Sequence, residues 1–553
     1  MLSPRILIGG ESFRELREGN FTYIDKTAIL EELLCQDRAK VSLITRPRRF
    51  GKTLTMSMLH EFFDIQKNSE EIFKGLAVAK NTAFCNAWMN KFPTIFISFK
   101  NICGRNFSHS YDIFLNSISE IFLDNEYLLH SEKIHDKHKA KIQAFIDEKV
   151  KQSDTEDSLL FLCKMLNKYW DKKVIILIDE YDVPLFYSEQ RGFYDEMLDF
   201  IRQLLGGALK GNNYLEFAVI TGCLRIVKES IFTGVNNFEC CGVSDIKFSD
   251  KIGFTNNDVD LLLKVNKLEN NKDIIKEWYD GYKFGNINNI YCPWDVLQYI
   301  VKLKRDQKAF PETYWLNSSS NDIIRKMIES STAKTRQKIE KLINLECIKV
   351  KVYEYLTYSS LYAKDDNIWS VLYSTGYLTK SEQDAGDGNI LLKIPNKEVL
   401  EIFKQTIKEW FKRIVEKNIT PLLKALWKGD ARSAENILNE ILLQTISYHD
   451  NAENYYHGFA AALFVGSSLE VTSNRESGDG RPDLVVADPD ARRALVLELK
   501  HAESEDALEA GVQEALGQIA KFRYLDGLPA SMKQRRAYGI AFHKKHCAVR
   551  LFR

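Results

Sequence analysis

KVSLITRPRRFGKT, residues 40–53, decides how the first half of the chain is read. KVSLIT is a short apolar run of the kind that forms a buried strand. A polar loop follows, and then TLTMSMLHEFFDI, whose apolar residues recur at helical spacing. Where a loop leaves a strand and opens a helix, backbone N–H groups converge on an anion, which is the setting a phosphate-binding loop requires. In that setting Arg48, Arg49, Phe50 and Gly51 form the candidate cradle, Lys52 reaches the β- and γ-phosphates, and the Thr53 hydroxyl holds Mg2+. The match to G-x-x-x-x-G-K-[ST] is incomplete, because Arg46 stands where the first Gly belongs. The bland alternative is a helix that happens to begin with Gly-Lys-Thr.

Working outward, three more apolar runs rich in Ile, Val and Phe occur at residues 92–99 (FPTIFISF), 173–180 (KVIILIDE) and 215–222 (LEFAVITG), with helix-like segments between them. That alternation predicts an α/β fold, a mostly parallel sheet with helices on both faces. VIILIDEYD (residues 174–182) ends an all-apolar strand in carboxylates, which packing does not explain, since Asp and Glu are rarely buried unpaired. Asp179 at the strand tip suits Mg2+, and Glu180 suits polarising the attacking water, with Asp182 next in line for that role. Thr221, ending the later strand, is a candidate γ-phosphate sensor, and Arg225 a candidate charge stabiliser.

SFRELREGNFTYIDKT, RPRRFGKT, LIDEYD, VITGCLRIVKESIFTGVNNF and WYDGYKFGNINNIYCPW occur in this order, and together they resemble the AAA-ATPase-like proteins of bacteria and archaea. The resemblance covers roughly residues 11–294. In that family the R-P-R-R-F-G-K-[ST] loop is the usual form, so Arg46 departs only from the general motif. The resemblance implies a P-loop NTPase core of the additional-strand class, binding ATP and Mg2+, followed by a helical region. Periodicity agrees about the latter: NNDVDLLLKVNKL, KDIIKEWYDGYKF and NKEVLEIFKQTIKEWFKRIVEK all read as amphipathic helices. SEQDAGDGN (residues 381–389) reads as a loop or hairpin tip.

Near residue 474 the composition shifts. No Asn follows it, and the last 79 residues hold nine Arg against five Lys, whereas the earlier chain prefers Lys. AENYYHGFAAALFVGSSL reads as the first helix of this further unit. DLVVA and ALVLELK are strand-like, and the turn formers of DPDARR separate them. A hairpin centred between Asp490 and Ala491 sets Asp483 against Glu498, at a spacing where two carboxylates repel unless a cation lies between them. Glu498 and Lys500 share a face, while Leu497 and Leu499 point away from it. Asp483 and Glu498 thus become candidate Mg2+ ligands and Lys500 a candidate for orienting the nucleophile, a set suited to phosphodiester hydrolysis. Taken alone, a D…E-x-K pattern also fits an ordinary surface hairpin.

Glu453 and His457 lie one helical turn apart beside Tyr456, and Gln518 marks a later helix in GQIAKF. The order helix with Glu453, strand with Asp483, strand with Glu498 and Lys500, helix with Gln518 resembles the PD-(D/E)XK nuclease superfamily. YYHGF, SNRESGDGRPDLVV, LELK and EALGQI look like the nuclease-like domain commonly fused to this ATPase. The resemblance covers residues 453–524 and implies catalytic roles for all five groups, Glu453, Asp483, Glu498, Lys500 and Gln518. The basic stretches KQRRAYG and HKKHC are candidates for touching a phosphate backbone, though a solvated surface explains them as well.

Composition bounds the rest. The chain has 553 residues, too many for one ordinary domain, and 45% hydrophobic with 27% charged residues argues against dominant disorder. Lys plus Arg equals Asp plus Glu at 76 each, so a nucleic-acid site has to be local. Without a long apolar run or a signal-like start, and with ten cysteines but no CxxC pair, the expectation is a cytoplasmic protein with reduced thiols. We read a P-loop ATPase domain at residues 1–250, a mostly helical middle region at 251–443, and a small restriction-endonuclease-like α/β domain at 444–553. The function expected is an ATPase coupled to a metal-dependent nuclease acting on DNA, with a homo-oligomer as a candidate state. The alternative is a regulatory ATPase switch whose C-terminal fold binds a partner without cutting.

Overall fold

The computed structural model describes residues 5–224, 238–315, 324–325, 332–353, 367–383, 385–386, 388–444, 456, 459–461, 463–464, 469–473 and 481–553. Two compact units emerge, Met1–Ser320 with Leu345–Ile402, and Asn321–Asn344 with Phe403–Arg553.

The first unit is built on five parallel strands, β1 (Val41–Thr45), β2 (Thr94–Ser98), β3 (Val174–Asp179), β4 (Leu215–Gly222) and β5 (Phe238–Cys241), in the order β2-β3-β4-β1-β5. Every residue of β1 and β3 is buried, on both strand faces, which explains their continuous apolar sequence. Helices Lys52–Phe63, Phe107–Asp124, Ser158–Trp170 and Tyr194–Leu209 supply the cover. The order matters for chemistry. β4 is inserted between β1 and β3, so Thr221 at the end of β4 lies between the loop that leaves β1 and the acidic end of β3.

After β5 the same unit continues with helices. A capping box joins Thr255 and Asp258 at the start of Asn256–Asn266. Val259, Leu263, Ile275, Tyr279, Val296 and Leu303 from this helix, Lys272–Tyr279 and Pro293–Arg305 share one core. KDIIKEWYDGYKF departs from the expected single helix. The helix stops at Tyr279, and Tyr282–Phe284 becomes β6, paired antiparallel with β7 (Ile287–Ile290). Gly281 is the cause: it sits at φ 96, and a side chain there would run into the Pro395 carbonyl, 2.0 Å from an added Cβ. A three-stranded antiparallel sheet, unforeseen in the sequence, joins β8 (Ile348–Val350), β9 (Thr379–Lys380) and β10 (Ile390–Lys393) in the order β8-β10-β9. β9 and β10 pair antiparallel on either side of the stretch 381–389, of which residues 384 and 387 lie outside the described residues.

The second unit carries β11 (Glu470–Ser473), β12 (Leu484–Asp488), β13 (Arg493–His501), β14 (Gln534–His543) and β15 (His546–Leu551), paired in chain order. β13 and β14 are parallel and the other pairs antiparallel. A parallel pair needs a crossover, and helix Leu508–Lys521 provides it while packing on β13 and β14.

One residue ties the first unit together at the end of β1. Arg46 is 0% exposed. Its guanidinium donates to the carbonyls of Thr45, Cys241, Gly242, Lys247 and Phe248 at 2.8–3.4 Å and lies 5.2 Å from the Phe284 ring centre. Burial lowers its pKa to about 10, so it remains charged at neutral pH. Replacing Arg46 removes its donors from these carbonyls, of which Gly242 and Phe248 keep a backbone N–H. Arg46→Gly restores the general phosphate-loop spelling, yet we expect it to lower stability by roughly 3 kcal/mol or more. Denaturant titration of the full chain checks this, and a stability equal to wild type would refute it.

Candidate functional site

The loop after β1 delivers the Lys52–Phe63 helix through Gly51, which adopts φ 92, a conformation costly for a side-chain-bearing residue. Lys52 is 3% exposed and points back under the loop, its amine donating to the carbonyls of Arg46 and Pro47 at 3.1 Å and to the Cys223 sulfur at 3.5 Å. Burial works against its charge. Cys223, Glu180, Asp182 and Asp179 outweigh that and raise its pKa. Thr53 Oγ1 donates to Asp179 Oδ2 at 2.8 Å, and Thr221 Oγ1 donates to Asp179 Oδ1 at 2.6 Å. Three residues from three elements therefore meet at one buried carboxylate. Burial raises the Asp179 pKa, and the two hydroxyl donors oppose that rise. Thr53 and Asp179 are hard oxygen donors of the type Mg2+ selects.

Glu180 takes a left-handed backbone, φ 53, with its N–H directed to Thr221 Oγ1 at 3.4 Å. Its carboxylate is close enough to raise the pKa of both Lys52 and Arg48. Asp182 serves differently. Its Oδ2 accepts from the N–H groups of Cys223 and Leu224, both at 2.9 Å, so it pins the segment after β4 to the segment after β3. That occupation argues against Asp182 as the general base. Sequence reasoning missed this pin and the Lys52–Cys223 contact, although both residues stand inside quoted motifs.

The remaining loop residues divide. Arg48 lies 5.5 Å from the Phe186 ring centre and faces Cys223, Asp182 and Glu180, the groups around Lys52. Arg49 turns elsewhere, 4.4 Å over Trp294 and donating to the Tyr314 carbonyl at 3.4 Å. The Phe50 ring is buried against Tyr282 and Phe284, leaving its main chain as what it offers a phosphate. Arg225 lies outside the described residues.

In the second unit Leu484 pairs with Leu497, a register that carries on to set Asp483 opposite Glu498, as the turn arithmetic expects. Asp483 Oδ2 accepts from Leu499 N–H at 2.8 Å, and Asp483 N–H approaches Glu498 Oε2 at 3.4 Å. Glu498 is 1% exposed. Burial first, and the Asp483 charge second, push its pKa up to about 7. The Lys500 amine lies 3.6 Å from Glu498 Oε1 and donates to Gln518 Oε1 at 2.8 Å. Gln518 in turn donates to the Tyr524 hydroxyl at 3.3 Å, and that hydroxyl donates to the Arg481 carbonyl at 3.3 Å. Tyr524 was not foreseen, although it stands six residues beyond Gln518. Among the described residues no group of three or more His, Cys, Asp or Glu side chains gathers to hold a metal. An ion between Asp483 and Glu498 would draw its other ligands from water and substrate, as Mg2+ commonly does. Glu453 and His457 lie outside the described residues, and Tyr456 is helical and stacks on Phe542.

The basic stretches are largely engaged. Arg535 donates to the carbonyls of Met532, Leu525 and Pro529, and Arg536 to that of Trp427. Lys545 approaches Glu340, and His546 approaches Glu505.

Residues 7–232 match the family described as "Predicted AAA-ATPase", and residues 451–551 match the PD-(D/E)XK nuclease superfamily. The chain is also similar to an "Uncharacterized protein in vnfD 5'region" of Azotobacter chroococcum mcd 1, at 23% identity over 499 residues, covering 88% of this chain and 87% of the relative. Among the described residues no helix is long and apolar enough to cross a membrane. The chain thus joins a domain of the predicted AAA-ATPase family, at residues 7–232, to a domain of the PD-(D/E)XK nuclease superfamily at residues 451–551.

Proposed function

We propose that the N-terminal domain binds and hydrolyses ATP with Mg2+, and that this nucleotide cycle governs cleavage of a nucleic-acid backbone, DNA in the first instance, by the C-terminal domain. The observation that carries the first half is the convergence of Thr53, Asp179 and Thr221 beside the buried Lys52. Lys52 and Arg48 offset phosphate charge there, Thr53 and Asp179 hold Mg2+, and Glu180 orients water. Bound Mg2+ would neutralise charge on the phosphates. Glu180→Gln keeps size and hydrogen bonding but removes the carboxylate. It should still bind ATP and hydrolyse it at least about 100-fold more slowly, within the range expected for a positioned base. Lys52→Ala should lose ATP binding. Normal turnover in Glu180→Gln, measured as phosphate release, would move the base role to another residue.

The second half rests on the Asp483–Glu498–Lys500–Gln518 cluster. Asp483 and Glu498 are the residues that would hold a divalent ion, whose chemistry is to activate water and polarise the phosphate. Lys500, held by Gln518, faces the same space. Asp483→Ala and Lys500→Ala should each abolish cleavage and leave ATP hydrolysis largely intact. The engaged state of Arg535 and Arg536 favours a second reading, in which the domain binds a partner without cutting. Wild-type protein inert toward DNA and RNA in Mg2+ would select it.

Glu498 also yields a metal test that needs no substrate. Its folded pKa, about 7, is raised above the ordinary value of 4.5. Below pH 4.5 both folded and unfolded forms are protonated, and the group does not alter stability. As pH rises toward 7 the unfolded chain ionises first, so stability falls across that window and then levels off, by up to about 3 kcal/mol. Glu498→Gln should remove that fall. Added Mg2+ or Mn2+ should restore the wild type above pH 7 and leave the variant unchanged. Equal metal responses, followed by thermal unfolding at pH 5 and 8, would exclude an ion at Glu498.

A further inference from the structure

Arg48 and Arg49 are adjacent, yet they meet different surroundings. Arg48 faces the acidic groups around Lys52. Arg49 is held from the other side by residues that no motif assigned. Its backbone sits at φ 70, its carbonyl accepts from the Cys292 thiol at 3.7 Å, and its guanidinium covers Trp294. Cys292 and Trp294 flank the start of helix Pro293–Arg305, whose first turn carries Asp295. Asp295 is 2% exposed and Glu398 1%. Glu398 Oε1 accepts from Trp315 N–H at 2.8 Å, burial raises the pKa of both carboxyl groups, and the Asp295 charge raises that of Glu398 further. Two buried carboxyl groups that interact in this way resist carrying two negative charges. Arg49 is the cation whose charge acts on Asp295.

The neighbouring loop residues are gripped by the same region. Pro47 packs so closely over Gly376 that a Cβ there would lie 2.8 Å from the proline ring. Phe50 packs between Tyr282 and Phe284. We propose that Arg49, with the Asp295–Glu398 pair behind it, positions the phosphate loop from its outer side, and that Arg49 is a positioning residue for hydrolysis and no phosphate ligand. This rests on the reading of the loop as an ATP site. Withdrawing Arg49 toward a phosphate would uncover the Trp294 ring and take its charge from Asp295, whereas Arg48, over the Phe186 ring, already faces the acidic end of β3.

The test compares full-length wild type, Arg49→Ala, Glu398→Gln and the double variant. Glu398→Gln keeps the acceptor for Trp315 N–H and removes one of the two carboxyl groups, so a folding defect in Arg49→Ala that comes from carboxyl repulsion would show as rescue in the double variant. Hydrolysis, affinity for a fluorescent ATP analogue, and hydrogen exchange of the peptide spanning residues 46–53 are measured. A positioning role predicts that Arg49→Ala loses about tenfold or more in kcat while affinity changes less than about threefold, because misplacement costs rate before binding. Glu398→Gln shifts kcat in the same direction, and the double variant is no worse than Arg49→Ala alone. Exchange in the 46–53 peptide rises in both single variants without nucleotide. A loss of affinity in Arg49→Ala comparable to that of Lys52→Ala, with the Glu398→Gln effect multiplying it, overturns the proposal in favour of direct phosphate contact. If wild type neither binds nor hydrolyses ATP, the ATP reading fails by itself, and exchange then decides the anchor: no change in either single variant overturns it.

Discussion

A buried guanidinium at Arg46 sets the frame on which the N-terminal domain's chemistry is built. A charge at 0% exposure is costly unless its donors are engaged, and here the two terminal nitrogens fan out onto five main-chain carbonyls, while Nε has no partner among the described residues. Those carbonyls belong to the end of β1, the end of β5 and the segment at residues 242–248. The hydrogen bonds therefore weld two strand ends and a connecting segment into one block, and the phosphate loop springs from that block. In the general motif a glycine at this position lets the main chain pass close to phosphate. In this chain the position serves to fix the loop's root.

The loop that leaves this root is held on two sides. Lys52, Thr53 and Arg48 face the acidic end of β3, whereas Pro47, Arg49 and Phe50 pack outward against Gly376, Trp294 and the Tyr282–Phe284 hairpin strand. The spelling R-P-R-R-F-G-K-T thus contains two jobs. Insertion of β4 between β1 and β3 completes the inner side, because it brings Thr221 to the carboxylate that Thr53 already touches.

The C-terminal site reaches its geometry by a shorter route. One antiparallel register and the two-residue period of a strand gather Asp483, Glu498 and Lys500. The crossover helix then buries that face and supplies Gln518. Burial is what changes the chemistry: a Glu498 held at the sheet surface would ionise normally, while beneath the helix its proton is retained to about pH 7. The same unit turns Arg535 and Arg536 of its KQRR stretch onto carbonyl groups.

The features legible in the sequence were those encoded over a few neighbouring residues. Strand runs, the strand–loop–helix context of Lys52, the acidic end of β3 and the pairing of Asp483 with Glu498 all follow from periods of 2 and 3.6 or from the centre of a turn. What required the tertiary structure was set by residues far apart in the chain. The three-stranded sheet at residues 348–393 joins segments too short to show a period. The helix end after Tyr279 goes with Gly281, whose place against the Pro395 carbonyl admits no side chain. Arg46, Arg48 and Arg49 are chemically alike within four residues, and no local pattern tells which turns to the main chain, which to the acidic site and which to Trp294. Asp182 looks like a second catalytic acid until its oxygen is found on the Cys223 and Leu224 amides. Periodicity records which side of an element is apolar. It does not record which distant group satisfies a buried polar atom, and that choice, made by packing across the whole unit, separates the residues able to act on a substrate from those that hold the fold.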